Sequence, residues 1–526
     1  MQNISLIIDN LMKKWSRGLT PGFAISVVNC NDTSNSYYYG MANLEHAIPI
    51  SENTVFYLCS LSKQFTAFCL STLINENKIS LSDPIRKFLP QLPDQIYGAI
   101  SISHLAHMTS GIHEWYDMME YSGSYTNEYP WRKSIIPLLM RQQYLSFAPG
   151  ERFSYCNTNY VLLTLIIEQI TQKSLAEYAR QTIFRPLNMN STCFCEDNNR
   201  LIPHTASGYY KIGDNLKTAD KLPPLIGAGG VYSTLNDLTI WLKAIISKQW
   251  QPHIFQVISN PSHFNNGKPN PYLMGFQRMN FHCNHVIHHG GAIPGFFTHI
   301  CYIPLHNCGF IWLANHNNFK PDVITNAVLK LLQADFSATV PENTNSISIC
   351  PETLHFTGKY LFLNEVGSLH LEAENKTLLI KGNPTRYQHD HDNIFINPDN
   401  NYQMIIMSEY HQNIILRLIS NNSDKFLIKA DQLPSQTNIQ QYCGRFYSSE
   451  LDVTYSFTES QNNLYIDAVK KFSGTDLRLI AHDIFLSPTK GIKIRFQRDD
   501  DNQIVSLFLD SFRSQKFFFN KITSIV

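Results

Sequence analysis

Charge is scarce in this chain. Only 16% of its 526 residues are Asp, Glu, Lys or Arg, against roughly 25% in ordinary soluble domains. The 42 basic residues balance the 42 acidic ones, so no long-range field favours nucleic acid or an anionic membrane surface. Long apolar runs are missing too. YVLLTLII at 160–167 stops at Glu168, well short of the roughly 18–20 residues that cross a bilayer. In MQNISLIIDNLMKKWSRG the apolar residues Ile4, Ile7, Ile8, Leu11, Met12 and Trp15 recur at helical spacing, broken by Asp9, Lys13 and Lys14. A secretory leader needs an unbroken apolar stretch of roughly 7–15 residues, so an amphipathic first helix and a cytoplasmic location are expected. The eleven cysteines are odd in number and scattered, with Cys59, Cys69, Cys301 and Cys308 inside apolar segments. That is the pattern of reduced core thiols rather than a disulfide framework. No GxGxxG, Walker or paired CxxC motif occurs. What is present, 43% hydrophobic and 12% aromatic residues, is enough for a globular chain of about three domains.

Residues 1–336 alternate helical and strand-like patterns. Strands are expected at Phe23–Val28, Ile300–Ile303 and Gly309–Ala314, and helices at Lys63–Asn77, Tyr160–Gln172 and Leu235–Lys248. The polar stretch SATVPENTNSIS at 337–348 reads as a linker. Beyond it the chain turns into short alternating strands, and these repeat. Phe356-x-Gly358-x-Tyr360 returns as Tyr442-x-Gly444-x-Phe446, 86 residues on, and Leu378 and Ile380 return as Leu464 and Ile466. Ile394-Phe395-Ile396 then returns as Ile484-Phe485-Leu486, now 90 residues on. Two related β domains follow, at 349–431 and 437–526. The second carries four extra residues, most simply in the loop AVKKFSGTD at 468–476.

Three segments of the first domain carry chemistry. In VFYLCSLSKQFTAFCL, Ser60 stands where an extended approach meets an apolar-periodic helix, with Lys63 three residues on. Positions i and i+3 share a helix face, so the Lys63 ammonium can reach the Ser60 hydroxyl. A serine is a poor nucleophile without such help. The motif alone is weak: Ser487-Pro488-Thr489-Lys490 also fits S-x-x-K and reads as a turn. Tyr155-Cys156-Asn157 precedes a long apolar helix, offering a proton shuttle and an amide that can bind a substrate carbonyl. His289-Gly290-Gly291 lies beside a strand-like run, where glycine lets backbone approach a ligand.

S-x-x-K, Y-x-N and H-x-G in that order resemble the penicillin-recognising serine hydrolases, the superfamily of class C β-lactamases, DD-peptidases, related esterases and D-aminopeptidases. SISHLAHMTSGI, GAGGVYSTLNDLTIWL and HHGGAIPGF extend the similarity over nearly all of residues 5–330. The resemblance implies an α/β serine β-lactamase/DD-peptidase-like domain, an antiparallel sheet flanked by helices with a helical subdomain, followed by two antiparallel β-barrel-like domains. It implies Ser60 as nucleophile, Lys63 as its proton-accepting partner and Tyr155 as the acid/base serving the leaving group. Asn157 would bind the substrate amide, and the N–H groups of Ser60 and Ala292 would form an oxyanion hole. Whether Lys63 or Tyr155 takes the first proton stays open. His289 replaces the lysine of K-T-G, which weakens recognition of a substrate carboxylate. Cys59 and Cys156 stand where small residues are usual.

The three-domain layout resembles D-aminopeptidases, in which a loop of the last β domain helps recognise the substrate amine. That implies a role for the loop Lys470–Asp476, with Asp476 meeting a substrate ammonium; the plain alternative is a hairpin extension. The substrate is then a small molecule or short peptide, turned over through an acyl-enzyme without cofactor or metal, and a homo-oligomer stays open. An esterase or β-lactamase-like hydrolase is the first alternative, and an inactive scaffold of the same fold the second. The histidine-rich FHCNHVIHH at 281–289 falls on the expected strand, so a metal is not needed to explain it. QHDHDN at 388–393 reads as a solvated loop, and His104 and His107 as capping or packing residues.

Overall fold

The computed structural model describes residues 8–522 except 11, 14–17, 30, 32, 125–130, 198, 221–224, 249, 282–283, 318, 320, 335–356, 363–367, 375–376, 382–385, 392–393, 397–402, 411–412, 421–422, 430–437, 470, 488 and 512. The chain divides into two compact units. One holds residues 1–115, 126–140 and 145–337, the other 116–125, 141–144 and 338–526. The division is not a single cut, because two short stretches near residue 120 and residue 142 cluster with the C-terminal part. The expected linker at 337–348 lies outside the described residues.

The first unit is built on apolar segments buried along their whole length. FAISVV (Phe23–Val28) and CGFIWLA (Cys308–Ala314) lack alternation and are buried at every position, as strands covered on both faces must be. They pair antiparallel, with Phe23 opposite Ala314 and Val28 opposite Gly309. Around them runs a six-stranded sheet in the order 277–281, 284–293, 296–303, 308–314, 23–28, 34–39. One face packs Phe23, Val27, Phe310 and Trp312 with Ile8, Met12 and the helix Pro321–Ala334, through Ile324, Val328 and Leu332. Each such side chain contributes about 1.5–3 kcal/mol on burial. The other face meets the helix Leu235–Ser247. There Thr239 donates a hydrogen bond to Ser26 at 2.9 Å, and a Cβ on Gly309 would lie 3.2 Å from Leu242. Of the expected first helix, Ile8 and Met12 are fully buried; Ile4, Ile7, Leu11 and Trp15 lie outside the described residues.

The two central helices of the helical part are Ser62–Asn75 and Asn157–Thr171. The second is apolar nearly all round and correspondingly buried, as a helix inside a core is. A smaller sheet orders the strands 55–57, 231–234 and 193–194 and leads the chain into Ser60. The six elements expected from periodicity are all present, with boundaries moved by a few residues. Eight described cysteines are free thiols, including Cys59, Cys69, Cys301 and Cys308. Among the described residues no helix is long and apolar enough to cross a membrane.

The second unit contains two closed eight-stranded barrels, each with its strands in chain order. The first closes by pairing Gly358–Phe362 with Ser423–Lys429, the second by pairing Gly444–Ser448 with Phe517–Lys521. Barrels of this size are filled by side chains. Tyr360, Leu371, Tyr387, Phe395, Met404 and Leu416 fill the first; Phe446, Phe457, Phe485 and Phe496 stack edge to face in the second. The duplication extends to irregularities: a register shift between His389 and His391 recurs 90 residues on, between Leu479 and Ala481. That shift corrects one expectation. Gln388 to His391 belong to the strand Arg386–His391 rather than to a loop, because the bulge lets pairing run past the turn-like composition.

Candidate active site

Ser60 and Lys63 meet as the i, i+3 spacing requires. The strand Val55–Tyr57 runs into a single 3-10 turn, Cys59–Leu61, and then into the helix Ser62–Asn75. That turn is pinned on two sides. The Leu58 N–H donates to Val231 O at 2.8 Å, and Leu58 O accepts from Thr298 Oγ1 at 2.9 Å. Cys59 takes a left-handed φ of 54°, a conformation that costs most residues energy and suits glycine. This is why small residues are usual there.

Lys63 is fully buried, and its Nζ hydrogen-bonds Ser60 Oγ at 3.1 Å, Asn157 Oδ1 at 2.7 Å and Ala228 O at 2.7 Å. Carbonyl oxygens only accept, so Asn157 and Ala228 each take one N–H. The third position of the nitrogen then faces Ser60. As an ammonium it donates to Oγ; as an amine it turns its lone pair to the Oγ proton. The cage therefore aims whichever group Nζ carries at the Ser60 hydroxyl.

Asn157 is not a loop residue as the sequence led us to expect. It opens the helix Asn157–Thr171, with Cys156 as its N-cap. Its backbone N–H and its Nδ2 donate to the two oxygens of Glu114, at 2.6 and 3.3 Å. Glu114 is fully buried. Sequence reasoning missed it, although a carboxylate in the small and apolar run SGIHEW was a visible signal. Ala228 was quoted only as part of GAGGVYST. Gly227 there has φ 91°, and a Cβ would fall 1.9 Å from Thr164 Oγ1, so glycine lets the turn bring the Ala228 carbonyl to Lys63.

Tyr155 lies between the two cationic candidates. Its ring centroid is 4.8 Å from Lys63 Nζ and 6.1 Å from the His289 ring. His289 lies within the strand Asn284–Ile293, 2% exposed. Burial first, then the Lys63 charge, lower its pKa to about 3 against the pull of the Gly290 carbonyl. The imidazole is neutral at physiological pH, so it does not stand in for the K-T-G ammonium. The two glycines differ. A Cβ on Gly291 would fall 2.4 Å from Thr298 Oγ1 and 2.6 Å from Leu58 O, whereas Gly290 has room, its nearest neighbour at 3.6 Å. Gly291 thus allows close packing of this strand on the turn that carries Ser60. Ala292 follows, opposite Phe297 and exposed.

A family model described as Beta-lactamase matches residues 6–335, the stretch that holds every one of these residues. The chain belongs to the Beta-lactamase family. Among curated relatives, a D-aminopeptidase of Gluconobacter oxydans is 28% identical over 298 residues, 56% of this chain and 56% of its own length. Protein flp of Staphylococcus aureus is 28% identical over 356 residues, 65% of this chain and 69% of its own. Two solved structures share the fold. An octameric penicillin-binding protein homologue from Pyrococcus abyssi has a TM-score of 0.54 at 22% identity, over 89% of this chain and 98% of that one. A D-amino acid amidase from Ochrobactrum anthropi also has a TM-score of 0.54 at 22% identity, over 64% and 100%. The resemblance to penicillin-recognising serine hydrolases is thereby borne out.

Asp476 belongs to the second unit, and it is not in a loop. It is the second residue of the strand Thr475–Ala481, paired with Tyr465 and 3.7 Å from the Arg478 guanidinium. In the preceding loop Phe472 is fully buried between Tyr121 and Tyr455, and Lys471 pairs with Glu120; Lys470 lies outside the described residues. In the histidine-rich segment, His288 Nδ1 faces His299 Nε2 at 3.2 Å, while His282 and Cys283 lie outside the described residues. His104 caps its helix from Nδ1, and His107 packs, buried, on Ser103.

Proposed function

We propose that the chain is a serine hydrolase working through an acyl-enzyme on small amides or short peptides, and that it prefers D-aminoacyl substrates. The Lys63 cage carries this reading: two carbonyls saturate Nζ so that its remaining position meets Ser60 Oγ at 3.1 Å. Ser60 Oγ bonds to the substrate carbonyl carbon as its proton passes to Lys63 or Tyr155. The carbon–nitrogen bond then breaks, and Tyr155 returns a proton to the leaving amine. Water attacks the ester in the second half, and its proton follows the same route back to Ser60 Oγ.

The preference for D-aminoacyl groups draws on the relatives, a D-aminopeptidase and a D-amino acid amidase. The neutral His289 supports it, since a substrate without a carboxylate needs no cation there. Homo-oligomer assembly is the matching expectation from the octameric relative, and native mass spectrometry reads it.

A fluorophosphonate probe should label the wild type and not Ser60→Ala. A panel of D- and L-aminoacyl anilides, short acyl esters and nitrocefin should give its highest kcat/KM with a D-aminoacyl anilide. Labelling that survives in Ser60→Ala removes Ser60 as nucleophile. A highest rate on esters or nitrocefin replaces the peptidase reading with an esterase or β-lactamase one.

A further inference from the structure

The His289 ring is held at both nitrogens. Nδ1 lies 2.6 Å from Gly290 O, and Nε2 lies 3.2 Å from the Tyr272 hydroxyl. A carbonyl oxygen only accepts, so Nδ1 carries hydrogen. A neutral imidazole has a single N–H, which leaves Nε2 a bare acceptor and makes Tyr272 the donor. We propose that Tyr272 is a positioning residue: with Gly290 O taking the Nδ1 hydrogen, its hydroxyl occupies Nε2, holds the ring in place as the neutral Nδ1–H tautomer and keeps this side of the site uncharged, favouring amide or ester substrates over those ending in a carboxylate.

Tyr272 is built in rather than loosely placed. It is fully buried, and its N–H donates to Asn270 Oδ1 at 3.0 Å. Asn270 in turn donates from Nδ2 to His107 O at 2.8 Å and to Ser262 Oγ at 3.1 Å. The Phe153 ring stacks on Tyr272 at 5.6 Å. Three residues on, Gly275 has φ 75°, and a Cβ would fall 2.8 Å from Lys63 O. Only glycine lets this loop press on the first turn of the nucleophile helix and so carry Tyr272 to His289. No local sequence signal marks Tyr272, because the contact is made by a loop crossing to a strand.

The groups facing His289 oppose a second proton. Lys63 comes from the helix Ser62–Asn75 and His288 from its own strand, and both disfavour an imidazolium at His289; His299, on the next strand, is itself held neutral by burial and by these histidines. Tyr155 and Tyr272 face it as rings, and Tyr160 lies behind Tyr272. Burial pushes the Tyr272 and Tyr160 phenols up, so both remain protonated.

The proposal rests on His289 lining the substrate site, as in the function proposed above, yet its test does not need turnover. Nitrogen NMR of histidine-labelled full-length protein, with His289→Gln to assign the signal, should show His289 as the Nδ1–H form, unchanged from pH 5 to 9. In Tyr272→Phe the tautomer should shift toward Nε2–H, or the ring should begin to titrate within that range. Below about pH 6 the rate on a carboxylate-terminated peptide relative to its amide should then rise by about fivefold or more, as an imidazolium appears. A wild-type ring in the Nε2–H form, or one titrating near its ordinary pKa, overturns the proposal even if the variant fails to fold. So does a folded Tyr272→Phe with an unaltered spectrum and pH profile. If no substrate turns over but the tautomer is as stated, the hydrolase reading fails and the positioning role stands.

Discussion

Cations are held in two different ways in this molecule. In the first unit Lys63 sits among a hydroxyl, a side-chain carbonyl and a peptide carbonyl, and the carboxylate of Glu114 stands one amide further out, on Asn157. In the second barrel Arg495 grips Asp510 with two bonds, Nε to Oδ2 at 2.8 Å and Nη2 to Oδ1 at 3.0 Å. Arg498 holds Asp483 in the same forked manner. A fork locks charge and geometry together. A cage of dipoles accommodates a nitrogen with either two or three protons, which a proton-transferring group needs. The difference separates the proposed catalytic site from ion pairs that tie neighbouring barrel segments together.

The sharpest way to break that contrast is to remove the caged nitrogen. Lys63→Met should lower kcat/KM by about 10⁴-fold, above 5 kcal/mol of barrier, with the thermal midpoint displaced by no more than about 2 °C. A variant that unfolds instead would make Lys63 a structural cation like the barrel arginines. Asp510→Asn should do the opposite. Burial raises this carboxyl, but Arg495 and Lys493 outweigh it and hold the group below its usual range. Removing the charge takes the buried carboxylate away from the partly exposed Arg495 and Lys493, and should cost about 1.5–3 kcal/mol in denaturant unfolding. A loss under 1 kcal/mol would show the fork to be dispensable.

Glu450 sharpens the comparison through pH. It is 4% exposed, and burial pushes its pKa up to about 7, against N–H bonds from Gln143 and Phe518. The folded form then binds a proton more tightly than the unfolded chain, so this group stabilises at acid pH. The contribution fades as pH rises from about 4.5 through about 7 and reaches about 3 kcal/mol in all. Unfolding followed between pH 5 and 8 should show the decline, and Glu450→Gln should flatten it. The smallest effect is expected from Lys87→Ala. Lys87 bonds Asp83 at 3.0 Å with its side chain 53% exposed, so no more than about 0.5 kcal/mol should be lost. A larger loss would mean that pairing with a carboxylate, rather than burial, decides what an ion pair contributes here.

Elements carried by local pattern were legible in the sequence. FAISVV and CGFIWLA read as covered strands, and the repeat at 86 and 90 residues anticipated two barrel-like domains, though not the bulge they share. Within the site, Ser60 and Lys63 were readable because one helical turn joins them. Where composition misled, long-range pairing had intervened: Asp476 looked like a loop residue but pairs with Tyr465, and the polar Gln388–His391 continues a strand. Gly291, singled out for approach to a ligand, also clears space for Leu58 and Thr298.

The sequence by itself determined the motif order, the helix and strand periods and the duplication, since each depends on neighbours a few residues apart or on the chain compared with itself. Tertiary structure alone decided what surrounds Lys63. Asn157 is 94 residues away and Ala228 165, while Glu114 and Tyr272 arrive on segments with no motif of their own. Hydrogen-bond partners of a buried group are set by which backbones pack together, and no local period encodes that.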